Sequence, residues 1–181
     1  MSLGNICQAI QDTDFFTSVR ESGLAYPVIL STHLSCIGLF GGLILLTDLR
    51  ILGFALTKTP VASVIEGFRP WKQLGLVVML TCGVLLGGAK LAQYYDNPYF
   101  QLKMLLLLLV GVHAFVFHKS VYGNPAALDA APQMPAVAKR AAVLSLCLWI
   151  GILSCGRWIA YFERPEEHIK APSTTSASVT P

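Results

Sequence analysis

Charge is scarce in this chain. Asp, Glu, Lys and Arg make up only 13% of its 181 residues, against 54% hydrophobic residues. A soluble domain carries about 25% charge. With a mean hydropathy of +0.61, the deficit excludes an ordinary soluble domain and points to a membrane protein. The 13 basic residues form no dense run, which excludes a nucleic-acid partner. Five cysteines show no CxxC spacing, so neither a zinc site nor a disulfide framework is indicated. The start, MSLGNICQAIQDTDFF, has no basic n-region and no long apolar h-region, and is not a cleavable signal peptide. Acidic residues are almost missing from the apolar stretches. There is no nucleophile elbow, phosphate loop or carboxylate pair. No independent catalytic activity is expected.

What the chain does have is four apolar runs, each near the roughly 20 helical residues that cross about 30 Å of hydrocarbon. They are read at about Tyr26–Leu49, Gly75–Tyr95, Tyr99–Tyr122 and Ala141–Phe162. Lipid offers no partner to a free backbone group, so each must be a helix. The connections are a loop over 50–74, a tight turn at DNP and the Pro/Ala-rich NPAALDAAPQMPAVAKR. The expected fold is an all-α integral membrane protein, an up-down bundle of four transmembrane helices over 23–162. Residues 1–22 are expected to form a short interfacial helical segment, with Ile6, Ile10, Phe15, Phe16 and Val19 among polar neighbours. The polar, Ser/Thr/Pro-rich residues 163–181 are expected to be disordered.

Basic residues set the orientation. Arg50, Lys58, Arg69 and Lys72 fall in the first connection, and Lys119, Lys139 and Arg140 in the third. Positive-inside reasoning places both connections in the cytoplasm and both termini outside. Tyr26, Tyr94, Tyr95, Tyr99, Trp158 and Tyr161 then form an outer aromatic belt. At about 1.5 Å of rise per residue, Lys90, Lys103 and Arg157 each lie about 6 Å below a belt tyrosine, and His33 lies about 10 Å below Tyr26. One ionisable side chain from each helix thus falls in a single layer. Lysine and arginine near helix ends can simply snorkel to the headgroups, but ionisable residues inside a membrane mark sites, and four at one depth mark one strongly. Like charges in low dielectric call for an anion. The layer is therefore read as an outer-leaflet pocket for a b-type haem, a quinone or another anion. His33 would be the haem ligand or the donor to a quinone, and Lys103 and Arg157 would hold the propionates or the carbonyl.

His113 and His118, on the third run, are further cofactor candidates. They stand about 140° apart around the helix and do not share a face. A bis-histidine haem from His33 and His113 meets an axial offset of roughly 10 Å. A competing metal reading uses His33, Cys36 and Met104, a soft set that suits copper(I). Asp48, near the inner end of the first run, is expected to pair with Arg69 or Lys72 as a structural clamp. A purely structural subunit, whose charges bind lipid headgroups and a partner protein, is the third reading. The bilayer is the first partner, and small-residue helix faces suit a homo-oligomer or a redox partner subunit.

The segments RESGLAYPVILSTHL, DLRILG, YYDNPYFQLKMLLLLL, VFHKSVY and GRWIAYF together resemble an uncharacterised bacterial family of small four-helix membrane proteins, a domain of unknown function. The resemblance covers roughly Arg20 to Phe162. It implies a bacterial inner-membrane protein and draws attention to His33, Lys103, His118 and Arg157, which lie within the matching motifs. It implies no biochemical activity. The histidine-bearing bundle is also similar, by distant analogy, to copper-resistance-D-type and b-type cytochrome membrane domains.

Overall fold

The computed structural model describes residues 2–162, all of whose regular structure is helical. The tail over 163–181 lies outside the described residues.

The expected single interfacial helix is two. Helix α1 (Leu3–Gln11) begins at Ser2, whose Oγ accepts a hydrogen bond from the Asn5 N–H at 3.4 Å. Helix α2 (Asp14–Glu21) follows after a bend at Asp12 and Thr13. Helix α1 turns Cys7 inward and leaves Leu3, Ile6 and Ile10 exposed, an apolar face suited to the interface. The ring of Phe16 fills the space where a side chain on Gly88 would stand. The Arg20 guanidinium donates to the carbonyls of Gln11 (3.3 Å) and Ala89 (3.4 Å), which fastens both short helices to the bundle.

Helix α3 (Ala25–Leu52) ends at Gly53, whose φ of 86° is the left-handed conformation of a helix C-terminus. Helix α4 (Val61–Ala89) starts 14 residues before the hydropathic run that announces it at Gly75. Its first N–H groups are capped from a distance. Val61 and Ala62 each donate to a carboxylate oxygen of Asp129, both at 2.8 Å. The expected loop over 50–74 therefore shrinks to a short link, and Glu66, Arg69, Pro70 and Lys72 are helical. The helix also stops early. Lys90, with φ −132°, breaks it, and Leu91–Tyr94 forms a separate turn, α5. Asn97 caps α6 (Pro98–Phe117), accepting from the N–H groups of Tyr99 (2.9 Å) and Phe100 (3.3 Å), with Pro98 at the first helical position. A π-helical turn, His118–Tyr122, extends α6. After the short α7 (Ala126–Ala130), α8 (Ala136–Ile159) is the last helix among the described residues.

The closest pairings are α3 with α4, α6 with α8, and α3 with α8. Two helical hairpins thus meet along the α3–α8 seam. At mid-height Phe40, Met79 and Trp149 pack together, the two rings edge-to-face at 5.4 Å between centroids. At the end of the bundle that carries the links, Ile51, Val61, Ile65, Val121, Leu128, Ala138, Ala141 and Ala142 form the other core cluster. At the opposite, tyrosine end, Tyr99 stacks on Trp158 at 5.9 Å and Tyr94 on Phe100 at 5.4 Å. The outward faces are apolar. Phe115 is 83% exposed, and Leu34, Leu80, Val84, Leu108 and Ile150 are also bare. Four helices, α3, α4, α6 with its π turn, and α8, are long and apolar enough to cross a membrane, the length and composition of a multi-pass membrane protein.

Candidate functional site

At the tyrosine end the two hairpins each send one basic side chain inward. His33, on α3, lies against α4 at Gly83. A β-carbon there would stand 3.3 Å from the imidazole Cε1. Glycine leaves the ring that place. The Met79 carbonyl is also beside the ring, yet Nδ1 is buried without a hydrogen-bond partner. Lys103, on α6, is half-buried and within electrostatic reach of His33. Its Nζ lies 3.9 Å from where a β-carbon on Gly156 of α8 would be, next to Cys155. Gly83 on α4 thus leaves room for the His33 ring, and Gly156 on α8 for the Lys103 ammonium.

The other two members of the expected layer are placed differently. Lys90 does not sit one turn down a continuous helix. It occupies the break between α4 and α5, with its ammonium 5.2 Å above the Tyr26 ring. Arg157 is exposed on α8. Its guanidinium lies 4.7 Å from the Tyr161 ring centroid and donates to the Tyr161 hydroxyl. Both cations are thus engaged by belt tyrosines, while His33 and Lys103 point between helices. The phenol of Tyr94, on α5 beside Tyr26, is pushed up from its ordinary 10.0 to about 12, chiefly by burial and then by the neighbouring Tyr26 hydroxyl.

The remaining candidates are dispersed. His113 is buried, with Nε2 2.9 Å from the Ala141 carbonyl of α8 and its ring 4.9 Å from that of Phe117. That contact makes Nε2 the protonated nitrogen and ties α6 to α8. His118 opens the π turn and is exposed. With Ala114, Phe115, Val116 and Lys119 it lines a shallow concavity of about 460 Å³. Cys36 is half-buried near Cys82, whereas Met104 is 42% exposed on α6. Among the described residues no group of three or more His, Cys, Asp or Glu is arranged to hold a metal.

A second polar cluster lies toward the link end. Asp48 is 1% exposed and Thr47 2%. The clamp expected there is built otherwise. Arg69 donates to the Tyr122 carbonyl at 3.1 Å, and Lys72 donates to the Thr47 hydroxyl at 3.4 Å. The Ser145 hydroxyl of α8 meets the Asp48 carboxyl, and Lys72 acts on it through space, but Oδ2 has no hydrogen-bond partner. The sequence reading overlooked Ser145 and Asp129. Ser145 lies one turn on from the buried Ala141 and Ala142. Asp129 carried no signal, because its partners are 67 and 68 residues away.

A family model described as a family of unknown function (DUF6644) matches residues 12–162. The chain belongs to that family. The DUF6644 match runs from α2 through α8 and contains both polar clusters; among the described residues, α1 lies outside it. No curated protein and no solved structure matches the chain.

Proposed function

We propose that this DUF6644 protein is a small membrane binding subunit whose His33–Lys103 pair holds the carbonyl or carboxylate head of an amphiphile, a quinone foremost. The observation that carries this reading is the pair itself. A buried imidazole nitrogen without a hydrogen-bond partner lies within electrostatic reach of a half-buried ammonium. Buried polar atoms of this kind require partners, and two cationic or donor groups side by side favour an acceptor over a metal ion. A quinone supplies carbonyl oxygens for Lys103 Nζ and for whichever imidazole nitrogen carries the proton, and its isoprenoid tail suits the bare apolar helix faces. The quinone reading needs fewer coincidences than a haem held by two histidines. His113 is engaged by Ala141 and lies roughly 10 Å deeper than His33 by helix rise. A haem held by His33 alone, with Lys103 on a propionate, is the competing form of the same site.

The basic residues collected at the link end support a bacterial inner membrane with that end in the cytoplasm and the pocket near the periplasmic face. An electron-transfer partner or a second copy of the chain would then meet the pocket laterally, through the lipid-facing helices.

The test is an organic extract of the purified protein, together with oxidised and dithionite-reduced absorption spectra of the same sample. The quinone reading predicts quinone in the extract in proportion to protein and no Soret band. A Soret band that shifts on reduction and is lost in His33→Ala establishes haem instead. Extracts of the wild type and of Lys103→Met with equal quinone content contradict the site.

A further inference from the structure

The Asp48 cluster stands independently of the His33–Lys103 pair, at the other end of the bundle. A carboxylate that serves only as a strut has both oxygens hydrogen-bonded, since an unpaired buried charge is costly. Here one oxygen is unpartnered and the residue is 1% exposed. The cations around it leave one loosely held proton donor. On α3 itself, Arg50 is committed to the Thr59 carbonyl at 2.6 Å. On α4, Arg69 is held by the Tyr122 carbonyl and Glu66 is exposed. The π turn contributes the half-buried Tyr122 phenol. From α8 comes uncharged Ser145, while Lys139 and Arg140 are exposed. His113 of α6 is tied to Ala141, and both carboxylate oxygens of Asp129 on α7 are used on α4. Lys72 alone rests on a single weak contact, 3.4 Å to Thr47 Oγ1, at the end of a flexible four-carbon stem. It makes no direct ion pair with Asp48; among the described residues the ion pairs are those of Arg20 with Asp12 and Glu21.

We propose that Asp48 is a proton-binding site inside the bundle, loaded and unloaded by Lys72. When Lys72 swings from Thr47 to Asp48, an N–H bond breaks and its electron pair stays on Nζ. An O–H bond forms at Oδ2. The products are a neutral carboxylic acid, held by Ser145, and a neutral amine. Half-buried Lys72 then takes a proton from a hydronium ion at the link end, which leaves as water, and the reverse sequence returns the proton to water and discharges the site. A metal cation is a poorer occupant, because Lys72, Arg69 and Arg50 already crowd this end with positive charge.

Infrared spectroscopy of the full chain in detergent, in light and heavy water, tests this directly. The wild type is expected to show a carboxylic-acid C=O band at neutral pH that shifts on deuteration and is lost in Asp48→Asn. In Ser145→Ala the band persists at a changed frequency, a readout that does not depend on Asp48→Asn folding. In Lys72→Met its hydrogen–deuterium exchange slows. Absence of the band in the wild type, persistence unchanged in Asp48→Asn, or loss in Glu66→Gln instead would overturn the assignment.

Discussion

The imidazole of His33 rests on Gly83 of the neighbouring helix, its Cε1 only 3.3 Å from the position a β-carbon would take. The ring can enter the bundle because that β-carbon is missing. Gly83→Leu is therefore expected to push His33 aside and to cost about 1–3 kcal/mol, as overpacking does. Thermal unfolding in detergent should show a lower midpoint, and quinone retention should fall with it. Gly87, with open space where its side chain would be, should accept alanine with little change.

Lys103 and Arg157 have the same charge and similar expected depth, but different surroundings. Lys103 is half-buried and within electrostatic reach of His33, whereas exposed Arg157 is occupied by Tyr161. Arg157→Lys and Arg157→Gln are expected to leave ligand content within a factor of about 2, in line with the small worth of exposed charged contacts. Lys103→Met should lower it severely. Quantified extracts of the three variants give the comparison.

Asp129 bridges the link between α6 and α8 to the start of α4 through two hydrogen bonds. Asp129→Ala leaves two N–H groups without that cap and is expected to cost about 1–2 kcal/mol. Because Val61 is only 1% exposed, water cannot readily replace the lost acceptor. The loss should appear as faster proteolysis of the 53–60 link before any change at the tyrosine end.

Tyr94 predicts an alkaline signature. Its phenol ionises near 10.0 when unfolded and at about 12 when folded. Between those values the folded chain holds a proton that the unfolded chain has released. Stability is thus unaffected below the lower value and declines as pH rises through the window. Tyr94→Phe should flatten the fall in unfolding midpoint across that range, and ultraviolet titration of the wild type should show one late-ionising tyrosine that the variant lacks.

The four long helices were legible because hydropathy reports contact with lipid, and α3, α6 and α8 announce themselves within a few residues. Helix α4 was not legible at either end. Glu66, Arg69, Pro70 and Lys72 lower the hydropathy of its first turns, yet Asp129 and the link-end core hold them helical. Lys90 interrupts its far end after Gly87, Gly88 and Ala89, a break hidden inside an apolar run. Whether His33 and Lys103 come within electrostatic reach depends on helix rotation and on which helices are neighbours, and rise per residue carries neither. The contact of His113 with the Ala141 backbone could not be read from side-chain pattern at all.

Calorimetric titration of the full chain in mild detergent with a short-chain quinone tests the central claim most directly. The account predicts saturable binding near one quinone per chain. Lys103→Met and His33→Ala should each weaken it at least about tenfold, which corresponds to about 1.4 kcal/mol, while Arg157→Gln leaves it unchanged. Binding that is absent in the wild type, or equally strong in Lys103→Met and His33→Ala, would contradict it.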